Sequence, residues 1–215
     1  MLRARVFDRL DGIDPRRWDD AGDDPLSTHA VLSALERAEL PGVRLAFALL
    51  EDGRGRTAAA CPFARIEVDA GRLTHGLFRR VIGAARRLDP GFLHTALCVS
   101  GTPLSVGGPP LRLAPGADPR RVWTETAGLA EELADGWNAP WRVVKELAEP
   151  GGPAARELRR AGWTVAPSEP NLVLPIRWRT YDDYLRSLRH PYRRRIRKSA
   201  RKLAAGGVLV DVTPL

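Results

Sequence analysis

The sequence predicts an α/β (α+β) domain, a mixed sheet flanked by helices, followed by a basic amphipathic helix. Three observations carry this. Short apolar runs bounded by turn residues alternate with segments of helical spacing between residues 4 and 178. Hydrophobic residues make up 44% of the 215 positions, enough to fill the core of one large domain. After Trp178 the apolar runs give way to a stretch, 186–202, with nine Lys or Arg and no acid.

The elements follow in chain order. ARVFDRL (4–10) alternates as a first strand. DPRRWDD and STHAVLSALERAEL read as two helices, the second capped by Ser27 or Thr28 and ended by Pro41-Gly42. VRLAFALLE (43–51) is a buried strand; EDGRGR turns the chain into its partner, TAAACPFARIEV (57–68). Residues 74–88 have helical spacing through Leu77, Phe78, Val81, Ile82, Ala85 and Leu88, and FLHTALCVS (92–100) is another buried strand. A Gly/Pro-rich loop of unusual length spans 101–119. Asp118 and Pro119 then open a helix over 118–136. WRVVKELA (141–148) is a strand, and 151–162 is a short helix closed by Gly162. WTVAP and NLVLPIRW read as two strands joined by a turn. Thr180 and Asp183 form a capping-box pair for the next helix, and His190-Pro191 breaks it. A second helix runs to Gly206-Gly207, and VLVDV (208–212) reads as a new strand.

Charge is distributed unevenly. Outside 186–202 the chain has 25 bases against 26 acids, so one segment carries the formal net charge of +8. Only Lys145, Lys198 and Lys202 are lysines, the pattern of GC-rich coding, so the position of the charge is more informative than its total. At 100° per residue, Leu185, Leu188, Tyr192, Ile196, Ser199 and Leu203 share a face that should pack on something. Arg193, Arg194, Arg197, Lys198, Arg201 and Lys202 spread over the opposite arc. A merely solvated face usually mixes signs, whereas like charges at i,i+4 repel. Beside the plain reading of a helix packed on one side and solvated on the other, the arc is expected to face an anionic partner: RNA, a nucleotide diphosphate, coenzyme phosphates, or acids elsewhere in a missing domain.

Other chemistries lack their residue patterns. No apolar run approaches the roughly 18 residues of a membrane span, and the N-terminus lacks a signal-peptide apolar region. Cys61 and Cys98 sit in strand-like apolar runs, as small core residues of a reducing cytoplasm rather than a disulfide. Four scattered His and two Cys give no metal-ligand spacing. His75, His94 and His190 have no partner pattern, and neither Ser27 nor Ser105 has a nucleophile context. Trp123, Trp137, Trp141, Trp163 and Trp178 are expected to pack in the core and at its edges. No RNA-recognition module is marked by its motif.

The order strand, loop, helix, strand, helix, strand, strand over 92–178 resembles the second half of the GNAT acyltransferase fold. ELRRAGWTV followed by NLVLPI is similar to its late helix, Gly-aromatic turn and closing hairpin. YDDYLRSLRHPYRRRIRKSARKLAAGGVLVDV resembles the linker that opens the second domain of FemAB-like tandem-GNAT proteins, and DPRRWDD with PLSTHAVLSALE resembles their N-terminal region. The resemblance is an arrangement over most of the chain and is specific at residue level over 181–210. It divides the chain into a GNAT-like domain at 1–178, a basic helical linker at 179–207, and the first strand of a second GNAT-like domain at 208–215.

The resemblance implies N-acyl or aminoacyl transfer to an amine. The donor would be acyl-CoA or aminoacyl-tRNA, as a co-substrate rather than a tightly bound cofactor. The cations Arg193, Arg194, Arg197, Lys198 and Arg201 would hold donor or acceptor phosphates. Members that bind coenzyme A cradle its pyrophosphate on backbone N–H groups of an R/Q-x-x-G-x-G/A loop. Here RLAPGADP offers Arg112, Gly116 and Ala117 out of register by one residue, and Pro115 removes a donor. Glu146, near a strand end, is the candidate general base. Two alternatives stay open: a non-catalytic module that grips tRNA or another polyanion, and a half-enzyme that needs a partner chain or second domain to complete its cleft.

Overall fold

The computed structural model describes residues 2–73, 76–104, 107–149, 151–167, 172 and 174–208. His75, Ser105 and most of the expected strand at 208–212 lie outside the described residues. The chain divides into two compact units, 1–169 and 170–215.

The first unit is built on a mixed sheet. β1 (Arg3–Phe7), β2 (Val43–Glu51), β3 (Thr57–Asp69) and β4 (His94–Ser100) are consecutive antiparallel neighbours. β5 (Arg112–Leu113) takes the same edge of β3 further along: Phe63 faces Ser100, while Ala60 faces Arg112. β6 (Trp141–Val144) lies parallel to β4, with Leu97 opposite Trp141 and Ser100 opposite Val144.

Both faces of the central strands are covered, which is why β2 reads as a continuous apolar run rather than an alternation. Ala46, Ala48 and Leu50 face one way, into a core shared with α4 (Pro119–Gly136) and α5 (Pro153–Arg160) through Val122, Ala130, Ala134 and Leu158. Phe47 and Leu49 face the other way, toward α1 (Pro15–Asp19) and α2 (His29–Arg37). There Trp18 meets the Phe47 ring edge to face at 5.8 Å, and its indole N–H donates to the Ser27 carbonyl at 2.8 Å.

The caps fall where the sequence places them. Asp14 and Asp118 each accept from the backbone N–H two residues on, ahead of Pro15 and Pro119, and Thr28 caps α2 by accepting from Val31 N. Cys61 and Cys98 are free and buried; desolvation pushes the Cys61 thiol up to about 12 and that of Cys98 to about 11.

Two expectations fail in this unit. The strand expected over 141–148 ends at Val144, and Glu146 takes a left-handed φ of 61°. α3 (Leu77–Ala85) is shorter than its 74–88 periodicity; Ile82 is buried, while Phe78 and Val81 are exposed.

The stretch 163–178 was expected as two strands, and its described residues form none. Pro167, Pro170 and Pro175 each lack the N–H that a ladder needs, and Leu172 and Ile176 stand 95% and 83% exposed.

In the second unit α6 (Tyr181–Ser187) starts at the expected capping box, with Thr180 and Asp183 bonded reciprocally. The chain breaks at Leu188–Arg189, and α7 (His190–Ala205) follows. Leu185 is buried, but α7 has no buried residue, and Tyr192 and Leu203 of the expected packing stripe are exposed.

Candidate functional site

Two places in the first unit and one in the second hold the residues singled out by sequence. The first is the turn between β5 and α4. Gly116 has φ 80°, Ala117 N donates to the Ala114 carbonyl at 3.0 Å, and Asp118 caps the helix by accepting from Arg120 N at 3.0 Å. This turn borders a cleft of about 410 Å³, whose opposite wall includes Asp52, Arg56 and Thr57. The cleft has the size of a small-ligand site. Its charges are internally matched: Arg56 pairs with Asp52 at 2.8 Å and Arg121 with Asp118 at 3.4 Å. The backbone N–H groups of Arg56 and Arg54 hold the Asp52 carboxyl below the usual carboxylate range. The Asp118 carboxylate already answers the positive end of the α4 dipole.

Arg112 opens this turn but faces away from it. Its side chain is buried and clamps the loop between α1 and α2. The guanidinium donates to the carbonyls of Asp24 (2.6 Å) and Asp19 (2.9 Å), to that of Gly22, and to Ser27 Oγ (3.1 Å). The structure therefore separates Arg112 from Gly116 and Ala117. The arginine is a fastening, and only the turn borders the cleft. The sequence carried a hint of this in the polar run from Asp19 to Ser27, whose carbonyls need donors if folded over a sheet.

The second place is the end of the parallel pair. β4 and β6 separate after Ser100 and Val144. Gly101, at φ 116°, turns the chain out while its N–H still donates to the Pro62 carbonyl at 2.8 Å. Glu146 sits on the far side, and its carboxylate accepts from Gly107 N at 3.1 Å. A crevice of about 10 Å³ remains between Glu146, Thr102 and Ser27. Ser100 Oγ, fully buried beside it in sequence, has no hydrogen-bond partner among the described residues. Open α/β sheets generally bind ligands beyond the carboxyl ends of parallel strands, and Ser100 and Glu146 both flank that position. The sequence singles out Glu146 as a candidate and does not single out Ser100, which no motif marks.

The third place is α7. Its 16 residues extend about 24 Å at 1.5 Å each. Arg194, Arg197, Lys198 and Arg201 are exposed and Arg193 half-buried, and none has a carboxylate partner among the described residues. Their bonds are to backbone: Arg193 to the Arg186 carbonyl at 3.5 Å and Arg201 to that of Arg197 at 3.4 Å. The N-cap Arg189 makes no side-chain cap bond, and Arg193 stands at the end of the first turn, where the helix dipole disfavours cations. The second unit holds eleven bases and three acids, while the first holds 23 of each. All the excess charge lies in the unit that carries α7.

Among the described residues no group of three or more His, Cys, Asp or Glu is gathered as for a metal, and no helix is long and apolar enough to cross a membrane. No family model matches the chain. No curated protein matches it. Among solved structures it is similar to one described as a probable acetyltransferase, with 14% identity and a TM-score of 0.42, covering 82% of this chain and 97% of that one.

Proposed function

We propose that the chain is a GNAT-like acyltransferase of the FemAB-like type, transferring an acyl or aminoacyl group to an amine. The observation that carries this reading is the sheet: four antiparallel strands, then a parallel β4/β6 pair made by the α4 crossover, with Ser100 and Glu146 where the pair separates. The acceptor nitrogen attacks the acyl carbonyl directly. The C–N bond forms as the C–S bond of a thioester, or the C–O bond of an aminoacyl ester, breaks. The amine proton passes to the Glu146 carboxylate, and the leaving thiolate or alkoxide takes up a proton. The domain acts by positioning the two groups and by stabilising the oxyanion, with no covalent enzyme intermediate. The turn at Gly116 and Ala117 and the α7 cations Arg193, Arg194, Arg197, Lys198 and Arg201 are the candidate phosphate-holding elements, and the cytoplasm, where both donors occur, is the expected compartment.

The test is product formation with acyl-CoA and with aminoacyl-tRNA against a panel of amines. Glu146→Gln should lower kcat by about a hundredfold or more. Absence of transfer from both donors would remove the proposal.

A second reading is favoured by the α7 cations, which have no carboxylate partner among the described residues: a module that binds tRNA or another polyanion without turnover. It predicts binding that weakens steeply with salt and is abolished by replacing Arg193, Arg197 and Arg201 with Glu. A flat salt dependence would eliminate it.

A further inference from the structure

We infer that the crevice beyond β4 and β6 seats a primary alkylammonium group, with Asp24 as its anchoring carboxylate. The inference deepens the acyl-transfer reading, and rests on it only in naming this group the acceptor amine.

Two carboxylates share the crevice. Asp24, from the loop between α1 and α2, and Glu146, past the end of β6, both line it. Each is half-buried and takes one backbone N–H: Asp24 Oδ1 accepts from Leu26 N at 3.3 Å, and Glu146 Oε1 from Gly107 N at 3.1 Å. Elsewhere in the unit such carboxylates are held by arginine: Glu51 by Arg17, Asp52 by Arg56 and Asp69 by Arg86. Asp24 and Glu146 have no Lys or Arg in ion-pair contact among the described residues. Lys145 runs past Gly101 and pairs with neither. The Arg112 guanidinium turns to the Asp24 carbonyl rather than its carboxylate, and is one charge against the four aspartates of 19–24. Like charges that share a crevice repel, and a cation between them relieves the repulsion.

Gly108 keeps the Asp24 carboxylate open. A Cβ at 108 would stand 3.2 Å from Oδ1 and 3.4 Å from Oδ2. Gly108 lines the same crevice, so the carboxylate lies on the crevice side.

Size and donor count select the cation. The crevice holds about 10 Å³, room for one water-sized group. That admits an ammonium head and excludes a guanidinium or a tetraalkylated nitrogen. An alkylammonium has three N–H donors and no acceptor. Asp24, Glu146 and the Thr102 hydroxyl offer it three acceptors. Leu26, 44% exposed, and Pro109 give the rim an apolar surface for the alkyl chain. Aliphatic primary amines are this cation at neutral pH. Asp24 is thus a positioning residue, which binds the amine and takes no part in the chemical step.

The probe is n-butylammonium chloride, with tetramethylammonium chloride and magnesium chloride at the same ionic strength as controls. At about ten times its dissociation constant, butylammonium should raise the melting temperature by roughly 3–5 °C, and neither control should. Asp24→Asn keeps an acceptor for Leu26 N and removes the charge, so it should abolish the shift. Gly108→Ala, which sets a methyl group against the carboxylate, should reduce it. In the transfer assay Asp24→Asn should raise KM for a primary aliphatic amine by roughly tenfold or more, with kcat little changed. No shift with butylammonium, an equal shift with tetramethylammonium, a shift with magnesium alone, or a shift that survives in Asp24→Asn overturns the inference. Transfer with KM unaltered in Asp24→Asn overturns it and leaves the acyl-transfer reading standing. A butylammonium shift lost in Asp24→Asn, without amide product from either donor, supports the seat and removes that reading.

Discussion

Arg112→Met is the sharpest test of how the first unit is fastened. The guanidinium reaches across from β5 to four acceptors spread over residues 19–27. Hydrogen bonds from a charged donor contribute about 1.5–3 kcal/mol each, a gross 6–12 kcal/mol for four. Burying the guanidinium costs several kcal/mol, which the methionine does not incur. The net loss should be about 3–4 kcal/mol, because methionine fills the volume but leaves three carbonyls and a hydroxyl without their donor. For a chain of this size that corresponds to a melting temperature lower by roughly 10 °C. Urea unfolding followed by Trp fluorescence measures it, and Trp18 reports locally, since its indole bonds the Ser27 carbonyl in the same loop. Arg112→Lys keeps the charge but cannot serve four acceptors, and should recover less than half of the loss. A change below about 1 kcal/mol for the methionine variant would refute the clamp.

Other consequences are equally specific. If the five α7 cations each meet one phosphate of a single strand, the log–log salt slope is about −3.5, and raising salt from about 50 to 200 mM weakens binding roughly a hundredfold. Replacing Arg193, Arg197 and Arg201 by Ala should reduce that to about sevenfold, read by fluorescence anisotropy on labelled RNA. Thr180→Ala removes the hydroxyl half of the α6 capping box, leaving the backbone N–H of residue 180 bonded to the Asp183 carboxylate, and should cost about 1 kcal/mol of helix stability, seen as lost helical circular dichroism in the second unit. Bonds from Arg86 hold the Asp69 carboxyl below its usual range. The unfolded chain then binds more protons than the folded one, so this contribution is complete above about pH 4 and is lost as pH falls through the lowered value. Asp69→Asn should flatten the acid limb of a stability–pH curve. An unchanged limb would show that the pair contributes nothing.

Much of the first unit was legible because its signals are local. The runs of β2 and β3, the hairpin between them, and the Asp118-Pro119 start of α4 each carry their own cause in adjacent residues. The 163–178 stretch has an apolar composition suited to strands, but its described residues form no ladder, and Pro167 and Pro175 lack the N–H that one needs. α3 shows the limit of periodicity. Its apolar spacing predicts an amphipathic helix, which forms, but spacing does not state which neighbour covers the face. The same holds for α7, whose stripe was expected to pack and instead lies open at Tyr192 and Leu203. At the candidate site Glu146 was singled out from its place near a strand end, as a candidate only. Ser100 was not, because a buried hydroxyl without a partner is a property of three-dimensional packing alone. Arg112 was found for the wrong reason: a loop motif suggested phosphate, and the fold turns its charge toward carbonyls.

The most direct test of the central claim is transfer of a radiolabelled acyl group from acyl-CoA, and separately from aminoacyl-tRNA, to a panel of amines. The chain and its Glu146→Gln variant are compared side by side. The account predicts an amide product from at least one donor and a loss of about a hundredfold in kcat in the variant, with KM little changed. No amide product from either donor would contradict it, and so would equal turnover by the two proteins.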